Sequence, residues 1–138
     1  MRPDQWQLRG SLHAVNGFQL FAMDEGTAEQ ETIVLIHGFP TASWDWHRIW
    51  PTLGQNYRLV AADMLGFGFS DKPARHHYSI HEQADLLEAL VRKLDLKRFH
   101  VLAHDYGDTV AQELLARQNA GTGAGEWLSV CFLNGGLF

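Results

Sequence analysis

The chain has 138 residues, of which 46% are hydrophobic and 20% are charged, and its formal net charge is −5. This composition is typical of one globular domain with a hydrophobic core, and the acidic balance gives no electrostatic reason to expect nucleic acid or a membrane as a partner. The single cysteine, Cys131, cannot form an internal disulfide, and the first ten residues lack the apolar segment of a signal peptide. We therefore expect a cytoplasmic protein.

The first elements in chain order are two extended runs, "WQLRGSLHAV" and "FQLFAMDEG", joined by Asn16 and Gly17. Because Asn-Gly is the strongest short signal for a hairpin, these runs are predicted to form an antiparallel pair of strands. The apolar run "TIVLIH" is predicted to be a buried strand. Ser43 is then placed to cap a short helix, whose apolar face would carry Trp46, Ile49, Trp50 and Leu53.

The rest of the chain alternates strands with helices. The strand "YRLVAAD" leads into the loop "MLGFGFSDKP", and a helix is predicted from Ser79, which forms a capping box with Glu82. The strand "FHVLAH", a helix after Asp105 and the strand "WLSVCFLNGG" complete six strands. This alternation predicts an α/β fold, with a mostly parallel sheet and helices on both faces. The last strand is apolar almost throughout, so we expect a missing C-terminal half or a partner chain to cover it.

Asp105 stands where the strand "FHVLAH" turns into a helix. The residues two positions before and after it, Ala103 and Gly107, are small, as a sharp turn from strand to helix requires. The free N–H groups at the start of the helix would point towards Asp105 and favour a negative charge there. The simpler interpretation of such an aspartate is a helix N-cap.

Several segments resemble a known family. "TIVLIHGFP", "DMLGFGFSDKP" and "HDYGD" resemble the α/β-hydrolase fold, in the branch of epoxide hydrolases and haloalkane dehalogenases. "YSIHEQADLLEAL", "HDYGDTVAQELLAR" and "LNGGLF" are most similar to the mesoderm-specific transcript-like proteins of that branch. The resemblance covers nearly the whole chain. It implies that residues 1–138 are the N-terminal part of a single α/β-hydrolase domain, truncated before the cap domain and the final strands.

The resemblance also implies a role for each motif. Asp105 would be the nucleophile, which forms a covalent ester with the substrate, and the backbone N–H groups of Phe39 and Tyr106 would form the oxyanion hole. The loop that presents the first of these N–H groups would be supported by three neighbouring residues, His37, Gly38 and Pro40. The histidine is expected to shape this loop rather than to act as an acid or a base.

The implied substrate is a small apolar electrophile, with no metal and no cofactor. An epoxide is the first choice and a haloalkane the second, because Phe39 and Tyr106 occupy positions where haloalkane dehalogenases usually carry Asn and Trp.

Two further residues near the turn at Asp105 are predicted to have structural roles. His104 is expected to pack on the side of the strand away from the nucleophile, and Asp108 is expected to interact with the helix dipole.

In this fold the catalytic acid and histidine follow the nucleophile in the chain, yet none of the eight histidines lies after Asp105. We therefore expect the chain to be an incomplete fragment of a protein of roughly twice this length. Alone it would be inactive in hydrolysis, because the base is missing. The alternative is a non-catalytic α/β-hydrolase-fold protein that serves as a scaffold or interaction surface.

Overall fold

A computed structural model describes residues 1–136, which form one six-stranded sheet with helices on both faces. The helices are α1 (Pro3–Arg9), a 3₁₀ helix (Ser43–Arg48), α2 (Trp50–Leu53), α3 (Ile80–Lys93) and α4 (Tyr106–Asn119). The strands are β1 (Ser11–Val15), β2 (Phe18–Glu25), β3 (Thr32–Ile36), β4 (Arg58–Ala62), β5 (Arg98–His104) and β6 (Glu126–Leu133). None of the helices in this range has the length and apolar character needed to cross a membrane.

The order of the strands in the sheet is β1-β2-β4-β3-β5-β6. The β1–β2 and β2–β4 pairs are antiparallel, whereas β4, β3, β5 and β6 run parallel to one another, so the mostly parallel sheet is confirmed. The carboxyl ends of β3 and β5 lie side by side, because Ile36 is in register with Ala103. This pairing brings the loop after β3 next to the turn after β5.

Two hydrophobic cores lie on opposite faces of the sheet. One face packs against α3 and α4, and its members from β3 are Val34 and Ile36. The other face packs against α1, the 3₁₀ helix and α2, and its members from β3 are Ile33 and Leu35. Since successive side chains of a strand point to opposite faces, a strand covered on both sides has to be apolar throughout. This requirement explains the uninterrupted hydrophobic run of β3.

The first predicted strand is wrong over its N-terminal half, because residues 3–9 form helix α1. Pro3 occupies the first turn, where a missing N–H costs nothing, and the Gln5 side chain accepts the Arg2 N–H at 2.8 Å. Trp6 is the one buried residue of α1, and its indole N–H donates to Ser43 Oγ. A helix of seven residues with one buried side chain has no apolar periodicity from which it could be recognised.

The predicted cap at Ser43 is also wrong. Ala42 is the N-cap of the 3₁₀ helix, and Ser43 is its first residue. The Ser43 hydroxyl is occupied by Trp6, and its backbone N–H donates to the buried carboxylate of Asp63 at 2.8 Å. Of the predicted apolar face, Trp46 and Trp50 are buried, whereas Ile49 is 41% exposed.

The other local predictions are confirmed where they concern turns and caps. Asn16 and Gly17, which join β1 to β2, both have positive φ, as a tight hairpin turn requires. Ser79 caps α3, and its hydroxyl accepts the Glu82 N–H at 3.1 Å.

In β6, Val130 and Phe132 pack towards the core beneath α4, while the alternate residues are mostly exposed. The described helices therefore cover only one face of β6.

Candidate active site

Asp105 lies at a sharp turn between β5 and α4. Its backbone has φ 55° and ψ −120°, a conformation that costs energy for a residue with a side chain. The turn is held by close packing, because a Cβ atom on Gly107 would lie 2.4 Å from the His37 carbonyl oxygen and 2.5 Å from that of Ile36. Ala103 is fully buried on the other side of the turn. Small residues at these two positions therefore let α4 begin directly against the end of β3.

Two backbone N–H groups converge on the Asp105 carboxylate. The Phe39 N–H donates to Oδ2 at 2.9 Å, and the Tyr106 N–H also interacts with the carboxylate. These interactions lower the pKa of Asp105 below its usual value, and the Phe39 N–H has the largest effect. The carboxylate is therefore ionised at neutral pH and partly exposed to solvent. The structure thus brings the predicted nucleophile together with both predicted oxyanion donors.

The orientation of the Phe39 N–H is set by the preceding residues. The Gly38 carbonyl belongs to the same peptide group, and it lies 2.8 Å from His37 Nδ1. The Thr41 N–H and hydroxyl also donate to this carbonyl, at 3.2 and 3.3 Å. A trans peptide group is planar, and its C=O and N–H bonds point in opposite directions. Fixing the Gly38 carbonyl on one side therefore directs the Phe39 N–H towards Asp105 on the other.

His37 is fully buried between this loop and the loop after β4. Its Nε2 accepts the Met64 N–H at 2.9 Å, so Nδ1 carries the proton and donates to Gly38. Burial lowers the pKa of His37, which keeps the ring neutral. Pro40 follows Phe39 through a cis peptide bond. The contacts of His37 agree with the predicted support role, and both of its ring nitrogens are already in use.

Gly38 is required by the close approach of the loop to the turn. A Cβ atom there would lie 2.6 Å from Asp105 Cβ, a distance that real Cβ atoms do not reach, and 3.0 Å from the His104 carbonyl oxygen, which is a tight contact. Asp63 fixes the next part of the same loop, since its carboxylate accepts the backbone N–H groups of Ser43 and Phe69 at 2.8 Å. The sequence alone indicated only that Asp63 ends a strand.

A cleft of about 470 Å³ is lined by Phe39 and Tyr106, the two residues whose N–H groups approach the Asp105 carboxylate; Asp105 itself is not part of the lining. Its other lining residues come from the loop after β4 and from the start of α3: Leu65, Gly66, Phe67, Tyr78 and Gln83. The buried Gln83 side chain bonds to both the N–H and the carbonyl of Leu65, at 3.2 and 2.9 Å. Sequence reasoning missed these lining residues, although the loop "MLGFGFSDKP" follows a strand that lies next to β3.

No histidine ring within residues 1–136 hydrogen-bonds to the Asp105 carboxylate, although His104 contributes to the lowered pKa of Asp105. Three other histidines have acidic partners away from Asp105. His76 pairs with Glu82, His81 with Glu113, and His100 with Glu31. The same range contains no group of three or more His, Cys, Asp or Glu side chains arranged to hold a metal ion.

Comparison with known proteins identifies the class. A family profile described as the alpha/beta hydrolase fold matches residues 31–120, a range that contains the loop after β3, the loop after β4 and the turn at Asp105. The chain therefore belongs to the α/β-hydrolase fold family, and the predicted fold class is confirmed. Residues Leu137 and Phe138 of the motif "LNGGLF" lie outside the described part of the chain.

Individual proteins and solved structures are also similar to this chain. The mesoderm-specific transcript homolog proteins of Bos taurus and Homo sapiens are each 49% identical over 140 residues, covering 96% of this chain and 42% of the relative. The crystal structure of the haloalkane dehalogenase DbeA from Bradyrhizobium elkani is similar with a TM-score of 0.81 at 28% identity, covering 91% of this chain and 41% of that one. An alpha/beta hydrolase fold protein from Burkholderia ambifaria gives a TM-score of 0.79 at 30% identity, with coverage of 93% and 44%.

These likenesses confirm the resemblance to the mesoderm-specific transcript-like proteins and to the dehalogenase branch. The chain spans less than half the length of the relatives that it matches. Hydrolases are also found among other relatives, including a putative hydrolase, LipZ, of Mycobacterium tuberculosis that is 46% identical over 93 residues.

Proposed function

We propose that this chain is the N-terminal part of an α/β-fold hydrolase domain that acts through an ester on Asp105. The observation that carries the proposal is the convergence of the Phe39 and Tyr106 N–H groups on one ionised, partly exposed carboxylate. Asp105 stands at the N-cap position of α4, but its side chain does not accept an N–H of the second or third helical residue, as a capping side chain does. Here the first donor comes from a loop 66 positions earlier in the chain, after a different strand.

The first chemical step uses the carboxylate as it stands. One oxygen of Asp105 attacks a carbon of the epoxide, the ring C–O bond breaks, and the alkoxide oxygen takes a proton from water or from an acid. The product is a hydroxyalkyl ester of Asp105. Since Asp105 is already ionised and its pKa is lowered, no base is needed for this step.

The second step is hydrolysis of that ester. Water attacks the ester carbonyl carbon, and the negative charge that develops on Oδ2 is stabilised by the Phe39 N–H, which already bonds to this atom at 2.9 Å. The tetrahedral intermediate then collapses, releasing a diol and regenerating the carboxylate. No histidine ring within residues 1–136 hydrogen-bonds to Asp105, so we assign the base that takes the proton from water to the remaining sequence of a longer form of the protein.

The cleft supports an apolar substrate. The rings of Phe39 and Tyr106 flank Phe67, with centroid distances of 6.1 and 6.0 Å, and these rings form much of the wall. An epoxide is our first choice of electrophile. A haloalkane is the second candidate, supported by the similarity to haloalkane dehalogenases, but the Phe39 side chain offers no N–H to a departing halide.

The proposal is tested by hydrolysis of an aryl epoxide by the longer form of the protein. Asp105→Asn should lower kcat by about three orders of magnitude or more. The matched control is Asp95→Asn, because Asp95 also has positive φ (56°) and its side chain is 77% exposed, with Lys97 as its partner. The control should keep its activity within about twofold. Equal activity in both variants would remove Asp105 from the mechanism, and absence of turnover in the parent protein would favour the scaffold alternative.

A further inference from the structure

Asp108, in the first turn of α4, has a buried carboxyl group that the proposed mechanism does not use. The residue is fully buried, and within residues 1–136 neither carboxyl oxygen has a hydrogen-bond partner. The segment after β6 lies directly on this group, because a Cβ atom on Gly135 would lie 2.0 Å from Asp108 Oδ2. A side chain of this kind is unusual, since buried polar groups in proteins are nearly always hydrogen-bonded.

Asp108 lies between the nucleophile turn and the end of β6. Its backbone N–H donates to the Asp105 carbonyl at 2.9 Å, and the Asp105 N–H donates to the Leu133 carbonyl at 3.0 Å. Gln112, one turn further along α4, donates from Nε2 to the Gly136 carbonyl at 2.6 Å and to the Asp108 carbonyl at 3.2 Å. The chain that leaves β6 is therefore joined to the start of α4 on both sides of the Asp108 side chain.

The surroundings of Asp108 favour an uncharged carboxyl group. Burial penalises the ionised form of a carboxyl group because it removes the water that solvates the charge, so the protonated form is favoured. Burial raises the pKa of Asp108, and the negative charge of Asp105 raises it further. The Leu133 backbone N–H, which approaches the carboxyl group without meeting hydrogen-bond geometry, and the charge of His104 act in the opposite direction, but burial outweighs them. The pKa values of the two aspartates of this turn are thus shifted in opposite directions, downward for Asp105 and upward for Asp108.

We propose that Asp108 is a positioning residue for the nucleophile turn. Its buried carboxyl group fills the space between α4 and Gly135 and so keeps the Leu133 carbonyl where it accepts the Asp105 N–H. An effect of Asp108 on catalysis rests on the proposed function of Asp105 as the nucleophile. The positioning of the turn by Asp108 can be tested without any reaction.

The direct test is hydrogen exchange of the Asp105 backbone N–H, followed by NMR in the full chain. Asp108→Asn, which is isosteric and always neutral, should exchange within about twofold of the wild type at acidic pH, whereas Asp108→Ala should exchange at least about tenfold faster because the Leu133 contact loosens. As pH rises through the raised pKa of Asp108, the wild type should lose protection beyond the intrinsic effect of base, and Asp108→Asn should not. A merely structural carboxyl group would not give this difference in pH dependence.

The inference is overturned if the wild type and Asp108→Asn lose protection over the same pH range, or if Asp108→Ala leaves the Asp105 exchange rate unchanged. If Asp108→Ala does not fold, the comparison of the wild type with Asp108→Asn still decides the question. A second readout is the rate at which an aryl epoxide forms an ester on Asp105, which should be kept in Asp108→Asn and reduced at least about tenfold in Asp108→Ala. Absence of ester in the wild type would contradict the proposed function and leave the exchange test intact.

Discussion

Gly107→Ala should both destabilise the protein and slow ester formation on Asp105, because the added methyl group would clash with the backbone at the end of β3. The added methyl group would lie 2.4 Å from the His37 carbonyl oxygen and 2.5 Å from that of Ile36. Both atoms belong to the backbone at the end of β3, so neither can rotate away. Overpacking of this kind costs about 1–3 kcal/mol, which corresponds to a fall in Tm of roughly 3–10 °C for a domain of this size.

The clash also displaces the elements that carry the site. Relief of the contact has to move α4 away from the loop after β3, which separates the Asp105 carboxylate from the Phe39 N–H. A displacement of about 1 Å at a reacting group can slow a reaction by about 100-fold, so we expect ester formation on Asp105 to slow by about 10–100-fold.

The two effects are measured by urea unfolding and by the rate of ester formation with an aryl epoxide. Gly123→Ala is the control, because the nearest atom to its new Cβ would be the Gln118 nitrogen at 3.1 Å, which requires a shift of only a few tenths of an ångström. It should leave the free energy of unfolding within about 1 kcal/mol of the parent. If Gly107→Ala were as stable and as reactive as the control, close packing at the turn would not be what holds the site together.

Three further substitutions test the supports of the site and fold. His37→Leu should lower the free energy of unfolding by about 1–3 kcal/mol in denaturant titrations, because the buried Met64 N–H loses its acceptor and the Gly38 carbonyl keeps only the donors of Thr41. Burial lowers the pKa of His37 in the folded protein. Below the ordinary histidine pKa of about 6.5, the His37 ring of the unfolded chain therefore binds a proton before that of the folded chain does. Stability should therefore fall as pH drops below about 6.5, and this slope should be smaller in His37→Leu; equal slopes would contradict the burial argument. Trp6→Ala should cost about 3–5 kcal/mol in thermal unfolding, since Trp6 is 1% exposed, and a loss below 1 kcal/mol would mean that α1 is not part of the core. Ser79→Ala should cost about 1 kcal/mol through loss of the α3 cap, and no change in Tm would show that the Glu82 N–H finds another acceptor.

Much of the fold follows from local patterns in the sequence. The uninterrupted apolar runs of β3 and β4 predict strands covered on both faces, and Asn16 with Gly17 predicts the opening hairpin. Helix α1 could not be predicted in this way. Its stability depends on burying Trp6 against Ser43, a contact between residues 37 positions apart, and no periodicity within seven residues reports such a contact.

The candidate site divides in a similar way. The small residues around Asp105 and the motif His37-Gly38-Phe39-Pro40 indicate which backbone groups meet, because both motifs follow strands that are neighbours in the sheet. Three features of the site depend on how separate loops pack together: the use of both His37 nitrogens, the aromatic cleft and the burial of the Asp108 carboxyl group. Such packing is determined by the tertiary structure, so residues that look alike in the sequence, such as Asp105 and Asp108, acquire opposite electrostatic properties.

The central claim is that Asp105 attacks carbon and forms an ester. It is tested most directly by incubating the 138-residue chain with an aryl epoxide and measuring the intact mass, followed by peptide mapping. If the base for hydrolysis comes from outside this chain, the ester should accumulate, with a mass increase equal to one epoxide located on Asp105 and absent from Asp105→Asn. An unchanged mass, or an adduct that persists in Asp105→Asn, would contradict the account.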